Sequence, residues 1–139
     1  MTGVVSAHHA AIFGLLQGGS PTFTVYDGQV PNEPEYPYAV LYMDTGIDEA
    51  TKLCGDPDTA TFRFQVTSVG LTAMAALVVV DESRIRVLGV RPVIAGRAPV
   101  RIRKETTIPI REDRDVTDTA TNRHPMFGVD TYVFESWKD

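Results

Sequence analysis

The stretch that most constrains this chain is Thr61–Thr67. Phe62, Phe64 and Val66 alternate there with Thr61, Arg63, Gln65 and Thr67. A period of two sends successive side chains to opposite sides of an extended backbone. The segment is therefore a strand with one side on a core and the other wet or against a partner. Such a strand needs others beside it and something apolar to cover it. Tyr38–Met43 is apolar at both phases of the same period, which suits a strand covered on both sides. Thr22–Tyr26 is short, alternating and rich in β-branched and aromatic residues, and Asp27–Gly28 ends it. Val100 and Ile102 alternate with Arg101 and Arg103, which predicts a strand with a basic outer face near Ala98–Lys104. Val129–Trp137 closes the chain as a further strand.

Two segments read as helices. Val5, His8, Ile12, Leu15 and Leu16 fall at helical spacing, and Gly18–Gly19 with Pro21 stops the pattern, so a helix is expected over Val4–Gln17. Leu71–Leu88 lies between Gly70 and Gly89. Within it Leu71, Met74, Val78, Ile85 and Leu88 share one helical face, and Glu82 can pair with Arg86 one turn on. Val78–Val80 is β-branched and stiff in helices, and Asp81 falls on the apolar stripe. The segment's eighteen residues nonetheless exceed an ordinary strand, which favours a helix.

The connections are equally legible. Pro31–Pro37 holds three prolines in seven residues and is an extended surface connection. The 44–59 segment is polar, with Gly46, Gly55 and Pro57, and reads as a long loop or protruding hairpin. The 111–123 segment carries seven charges against two aliphatic residues and reads as a mobile surface loop. The order helix, three strands, helix, two strands predicts an α+β fold. In it two main helices pack on one face of a mostly antiparallel sheet. A length of 139 residues suits one domain over 1–139.

Searching the chain for chemistry yields little. One cysteine, Cys54, allows no internal disulfide, and no histidine and orienting group are identified that would activate it. His8 and His9 are adjacent, about 100° apart on a helix, and cannot share a metal ion in the i, i+4 manner. Asp56 with Asp58, and Asp113 with Asp115, resemble the start of a calcium loop but lack its glycine and distal glutamate. They read as turn residues. No phosphate-cradling glycine motif and no nucleophile elbow is present. Tyr36, Tyr38 and Tyr42 have no basic neighbours that would support stacking on bases, so they read as core or interface. The longest apolar run, Ala73–Val80, has eight residues, against the ~20 needed to cross a bilayer. No basic residue precedes the apolar N-terminal stretch, so a secretory leader is not expected.

Charge is more informative. The net charge of −5 divides into −8 over residues 1–83, +7 over 84–104 and −4 over 105–139. One reading is two solvated faces. The other is a self-complementary subunit whose basic strip meets an acidic surface of an identical neighbour. Overall acidity argues against a dedicated nucleic-acid binder.

Taken in order, the segments resemble the tail terminator, or tail completion, proteins of long-tailed bacteriophages. The likeness runs through the N-terminal helix, Thr24–Val25–Tyr26–Asp27, the proline-rich connection and Pro37–Tyr38–Ala39–Val40–Leu41. It continues in Phe62–Arg63–Phe64–Gln65–Val66–Thr67–Ser68, the helix ending Arg84–Ile85–Arg86–Val87–Leu88, and the terminal Thr131–Tyr132–Val133–Phe134. Residues 89–123 lie outside it. The resemblance implies a virion subunit, assembled in the host cytoplasm, that closes into a ring, usually a hexamer. The ring caps the head-proximal end of the tail tube, stops its polymerisation and meets the head–tail connector. Genomic DNA passes through the lumen without specific binding. Neither catalysis nor a cofactor, metal or membrane is implied.

A ring needs a heterologous interface whose rotation closes. The expected one places Arg97, Arg101 and Arg103 against Asp48, Glu49, Asp56 and Asp58 of the next subunit, with the acidic 113–118 segment near the axis or the connector-facing rim. Alternatives are another neck component (a head completion or head–tail joining protein), a small nucleic-acid-binding module, or an enzyme.

Overall fold

The sheet is organised around β4 (Thr59–Gly70), the strand that contains the alternating segment. In this computed structural model, residues 4–18, 22–49 and 59–138 are described. β4 pairs along its whole length with antiparallel β7 (Met126–Lys138), which sets Phe62 opposite Phe134 and Phe64 opposite Tyr132. Its other edge carries β2 (Tyr38–Met43), with Leu41 opposite Val66, and the short β3 (Ile47–Glu49), with Ile47 opposite Thr61. β1 (Thr24–Asp27) lies parallel to β2, the one parallel pair among the described residues. The far edge of β7 carries β5 (Arg97–Pro99) and then β6 (Arg103–Glu112), completing seven strands among the described residues.

Register decides what each face meets. Phe62, Phe64 and Val66 of β4, Tyr132 and Phe134 of β7 and Ala39 and Leu41 of β2 share one face, and all are buried. Phe64 stacks on Tyr132 at 5.1 Å and Phe62 on Phe134 at 5.6 Å between ring centroids. Burial of each such side chain contributes about 1.5–3 kcal/mol, and ring geometry adds roughly 0.5–1.5 kcal/mol per pair.

Two helices cover that face. α1 (Val4–Gln17) has the predicted bounds and buries His8, Ile12 and Leu16. The His8 ring lies flat on Phe62 at 4.2 Å. α2 (Ala73–Val87) starts at Thr72, whose hydroxyl accepts from the Ala75 N–H at 3.1 Å, an N-cap that satisfies one orphan donor. It ends where Gly89 takes φ +77° and donates to Ile102 O at 2.8 Å. Glu82 and Arg86 form the expected pair one turn apart.

Three expectations change. The sequence stripe on α2 is not the face it buries: Ala76, Val79, Ser83 and Val87 face the sheet, while Met74, Val78, Ile85 and Leu88 face out. The expected strand over Ala98–Lys104 is two strands, because after Val100 donates to Glu135 O of β7 at 2.8 Å the chain turns away from β7 at Arg101 and Ile102. There Ile102 exchanges hydrogen bonds with Gly89 and Val90 beneath the end of α2. Finally, β6 runs on to Glu112, so Arg111 and Glu112 of the segment read as loop are strand, held opposite Phe127 and Met126 of β7. Beyond them Asp113 accepts from the Asp115 N–H, the turn role expected of that pair, and Asp118 bridges Arg123. The 44–59 segment begins as the hairpin arm β3; Cys54 lies outside the described residues.

Candidate functional site

The buried polar groups serve the fold. His8 Nδ1 lies 2.6 Å from Val4 O, and its Nε2 lies 2.7 Å from Ser136 Oγ. A carbonyl only accepts, so Nδ1 carries the proton. The Ser136 hydroxyl then donates to Nε2, leaving its oxygen to accept from Arg97 Nε at 3.1 Å. Arg97 Nη2 also donates to Ser136 O at 2.6 Å. The arrangement accommodates a neutral imidazole. Burial lowers the His8 pKa, the Val4 carbonyl opposes this, and the Arg97 charge adds to the lowering. His9, one position on, faces out to Asp27 at 2.8 Å.

A second cluster joins α2 to the sheet. Arg84 grips Asp130 of β7 with two hydrogen bonds, of 2.8 and 3.0 Å. Thr107 of β6 donates to the same carboxylate at 2.7 Å. Burial of Asp130 works to raise its pKa, but the hydrogen bonds from Arg84 and Thr107 prevail and hold it below the usual carboxylate value. Burial, with the Asp130 charge, raises the Tyr132 phenol beside it.

The sequence-predicted interface residues lie apart. Arg97 sits in β5 on the Ser136 network. Arg101, in the link to β6, is exposed and donates to Gly89 O at 3.0 Å. Arg103, at the start of β6, pairs with Glu135 of β7 at 2.9 Å. Asp48 and Glu49 belong to β3, opposite Ala60 and Thr59, on the edge of β4 away from β7. Asp56 and Asp58 lie outside the described residues. The three arginines and β3 are thus separated across the sheet.

The sheet face turned away from the helices carries two exposed ion pairs, Arg63–Glu105 at 3.0 Å and Arg103–Glu135. Each contributes only ~0–1 kcal/mol. A tyrosine cluster occupies the β1–β2 end, where Tyr38 lies 5.4 Å from both Tyr26 and Tyr36. Burial pushes the Tyr38 phenol up to about 12.

Sequence reasoning grouped Met74, Val78, Ile85 and Leu88 on one face of α2 but missed that this face points outward. Met74 is 69% exposed, Leu77 44%, Val78 46%, Ile85 76% and Leu88 42%. Beside it a groove of about 280 Å³ opens toward β6, lined by Leu77, Asp81, Ile108, Pro109 and Ile110 among others. The signal was available: α2 has apolar residues on both sides, which a helix with a solvated outer face does not need. Among the described residues, no group of three or more His, Cys, Asp or Glu side chains gathers as a metal site.

No protein-family profile and no curated protein sequence matches the chain. A solved structure does share its fold. That chain belongs to the virion of a native gene transfer agent particle. The two superpose with a TM-score of 0.69 over 99% of this chain and 100% of that one, at 18% identity. The likeness is one of fold, and it runs from end to end.

Proposed function

We propose that this chain is a structural subunit of a phage-like virion, and that it works as a tail terminator. Copies close into a ring, usually of six, on the head-proximal end of the tail tube. The ring stops tube growth and meets the head–tail connector, and genomic DNA passes through its lumen. The observation that carries the virion role is the end-to-end likeness to a chain of a virion particle. The terminator role rests on the ordered sequence segments that resemble that family. The architecture suits both. Such work needs no catalytic constellation, and the buried His8–Ser136–Arg97 and Arg84–Asp130 groups hold elements of the fold together.

In this reading Arg97, Arg101 and Arg103 belong to the strip that approaches a neighbour, with Asp48, Glu49, Asp56 and Asp58 as its acidic counterparts. The acidic 113–118 segment lies toward the lumen or rim, where negative charge lets DNA slide instead of binding by counterion release. The test adds the purified chain to polymerising cognate tube protein and measures tube length by electron microscopy. Tubes that stop short and carry a ring at one end are expected. Unchanged tube lengths, with no ring, overturn the terminator role.

A further inference from the structure

We infer that the outer row of α2 is a subunit interface, covered by the helix-free sheet face of a second copy of this chain. The inference rests on the ring reading and reassigns its charge partner: Arg103 meets Asp81 of the next copy in place of the acidic residues at and after β3.

Met74, Leu77, Val78, Ile85 and Leu88 fall within a narrow sector of the helix, directly opposite the buried Ala76, Val79, Ser83 and Val87. From Met74 to Leu88 the fourteen residue-to-residue steps cover roughly 21 Å at the α-helical rise. From their fractional exposures they leave on the order of 500 Å² of mostly apolar surface in water, as large as the patches that mark interaction sites. The adjoining groove extends this apolar surface toward β6.

Charge selects the occupant. Asp81 stands exposed in the middle of the row, and no ion pair to it is formed among the described residues. A carboxylate enclosed by an apolar interface requires a cation from the other side. The chain's own opposite face offers one amid apolar anchors. By register Ile47, Glu135, Trp137 and Arg103 all point away from the helices: Ile47 stands opposite Thr61, and Trp137 opposite Thr59. Ile47 is 56% and Trp137 42% exposed. Arg103 uses one nitrogen on Glu135, so its guanidinium keeps donors for a second carboxylate. Tryptophan is among the residue types enriched at interface hot spots, and the α2–β6 groove is a recess that a large side chain can enter. The two surfaces lie on opposite sides of one subunit, so the contact is heterologous and propagates from copy to copy until it closes.

The experiment is light scattering on the full-length chain with Ile85→Glu, Asp81→Arg, Arg103→Asp and the Asp81→Arg/Arg103→Asp double variant. Circular dichroism serves as the folding control. The wild type is expected to be a closed oligomer, Ile85→Glu and both single charge reversals to shift toward monomer by tenfold or more in dissociation constant, and the double variant to recover. An oligomer untouched by Ile85→Glu overturns the α2 surface. Single reversals without effect, or a double variant that does not recover, overturn the partner face. A wild type that stays monomeric at its solubility limit overturns the inference, even if it binds tube protein through the same row. The virion reading is then judged separately, by whether mass spectrometry finds the chain in purified particles.

Discussion

Phe62 and Ile85 are both large apolar residues on regular elements, yet Phe62 is 1% exposed and Ile85 76%. Phe62 sits between Phe134, the His8 ring and the glycine at 46, whose φ of +81° and lack of a Cβ let the backbone approach the aromatic edge. Ile85 touches water. The comparison separates two uses of apolar surface. One side of the sheet spends it within the chain, on a close-packed stack of rings under two helices. The outer side of α2 holds it in reserve, where it contributes nothing to folding and becomes favourable only when another molecule covers it.

Substitutions that attack each region should therefore differ in kind. The largest loss is expected from Phe62→Ala, about 3–5 kcal/mol in urea unfolding, because the cavity removes ring contacts on both sides. A loss below 1 kcal/mol would mean that the stack is loosely packed. Asp130→Ala comes next, at about 1–3 kcal/mol, since it strands the donors of Arg84 and Thr107. Its pH signature sharpens the point. The folded pKa of Asp130 lies below the unfolded value of 3.8, so its contribution is complete above that value and is lost as pH falls through the folded pKa. The acid limb of the wild-type stability curve should flatten in the variant.

His8 acts at higher pH. Its folded pKa is lowered from 6.5, so the unfolded chain takes up the proton first. Stability is complete above about pH 6.5 and declines as pH falls from there toward the folded value. Thermal melts at pH 7.5 and 5.5 should show this decline in the wild type and not in His8→Gln. The smallest effect is expected at the outer row: Ile85→Ser should change monomer stability by less than about 0.5 kcal/mol. A loss on the scale of Phe62→Ala would break the comparison and make the outer row part of the fold.

Much of this architecture was legible beforehand, and the residues show why. α1 and β2 have the predicted bounds because each has a single strong pattern between clear stops: helical spacing ended by Gly18, and an unbroken apolar run bounded by Pro37 and Asp44. β6 was legible only at its first residues. Most of its length is exposed, so nothing in its side chains alternates, and it is a strand because β7 supplies the backbone partners. Arg97 and Arg103 read as surface charge available to a neighbour, while the tertiary fold gives them Ser136 and Glu135. Their partners lie 39 and 32 residues away in the chain, beyond the reach of local pattern.

The amino-acid order by itself determined the element types, the central alternating strand and the α+β class, because periodicity and chain breakers act over a few neighbouring residues. Only the tertiary structure decided which side of α2 is inside. Both sides are apolar, so the hydrophobic effect alone is nearly indifferent between them. The choice falls to shape and polar satisfaction: small Ala76, Val79 and Ser83 let α2 lie close on the rings of β4 and β7, and Arg84 reaches Asp130 only from that orientation.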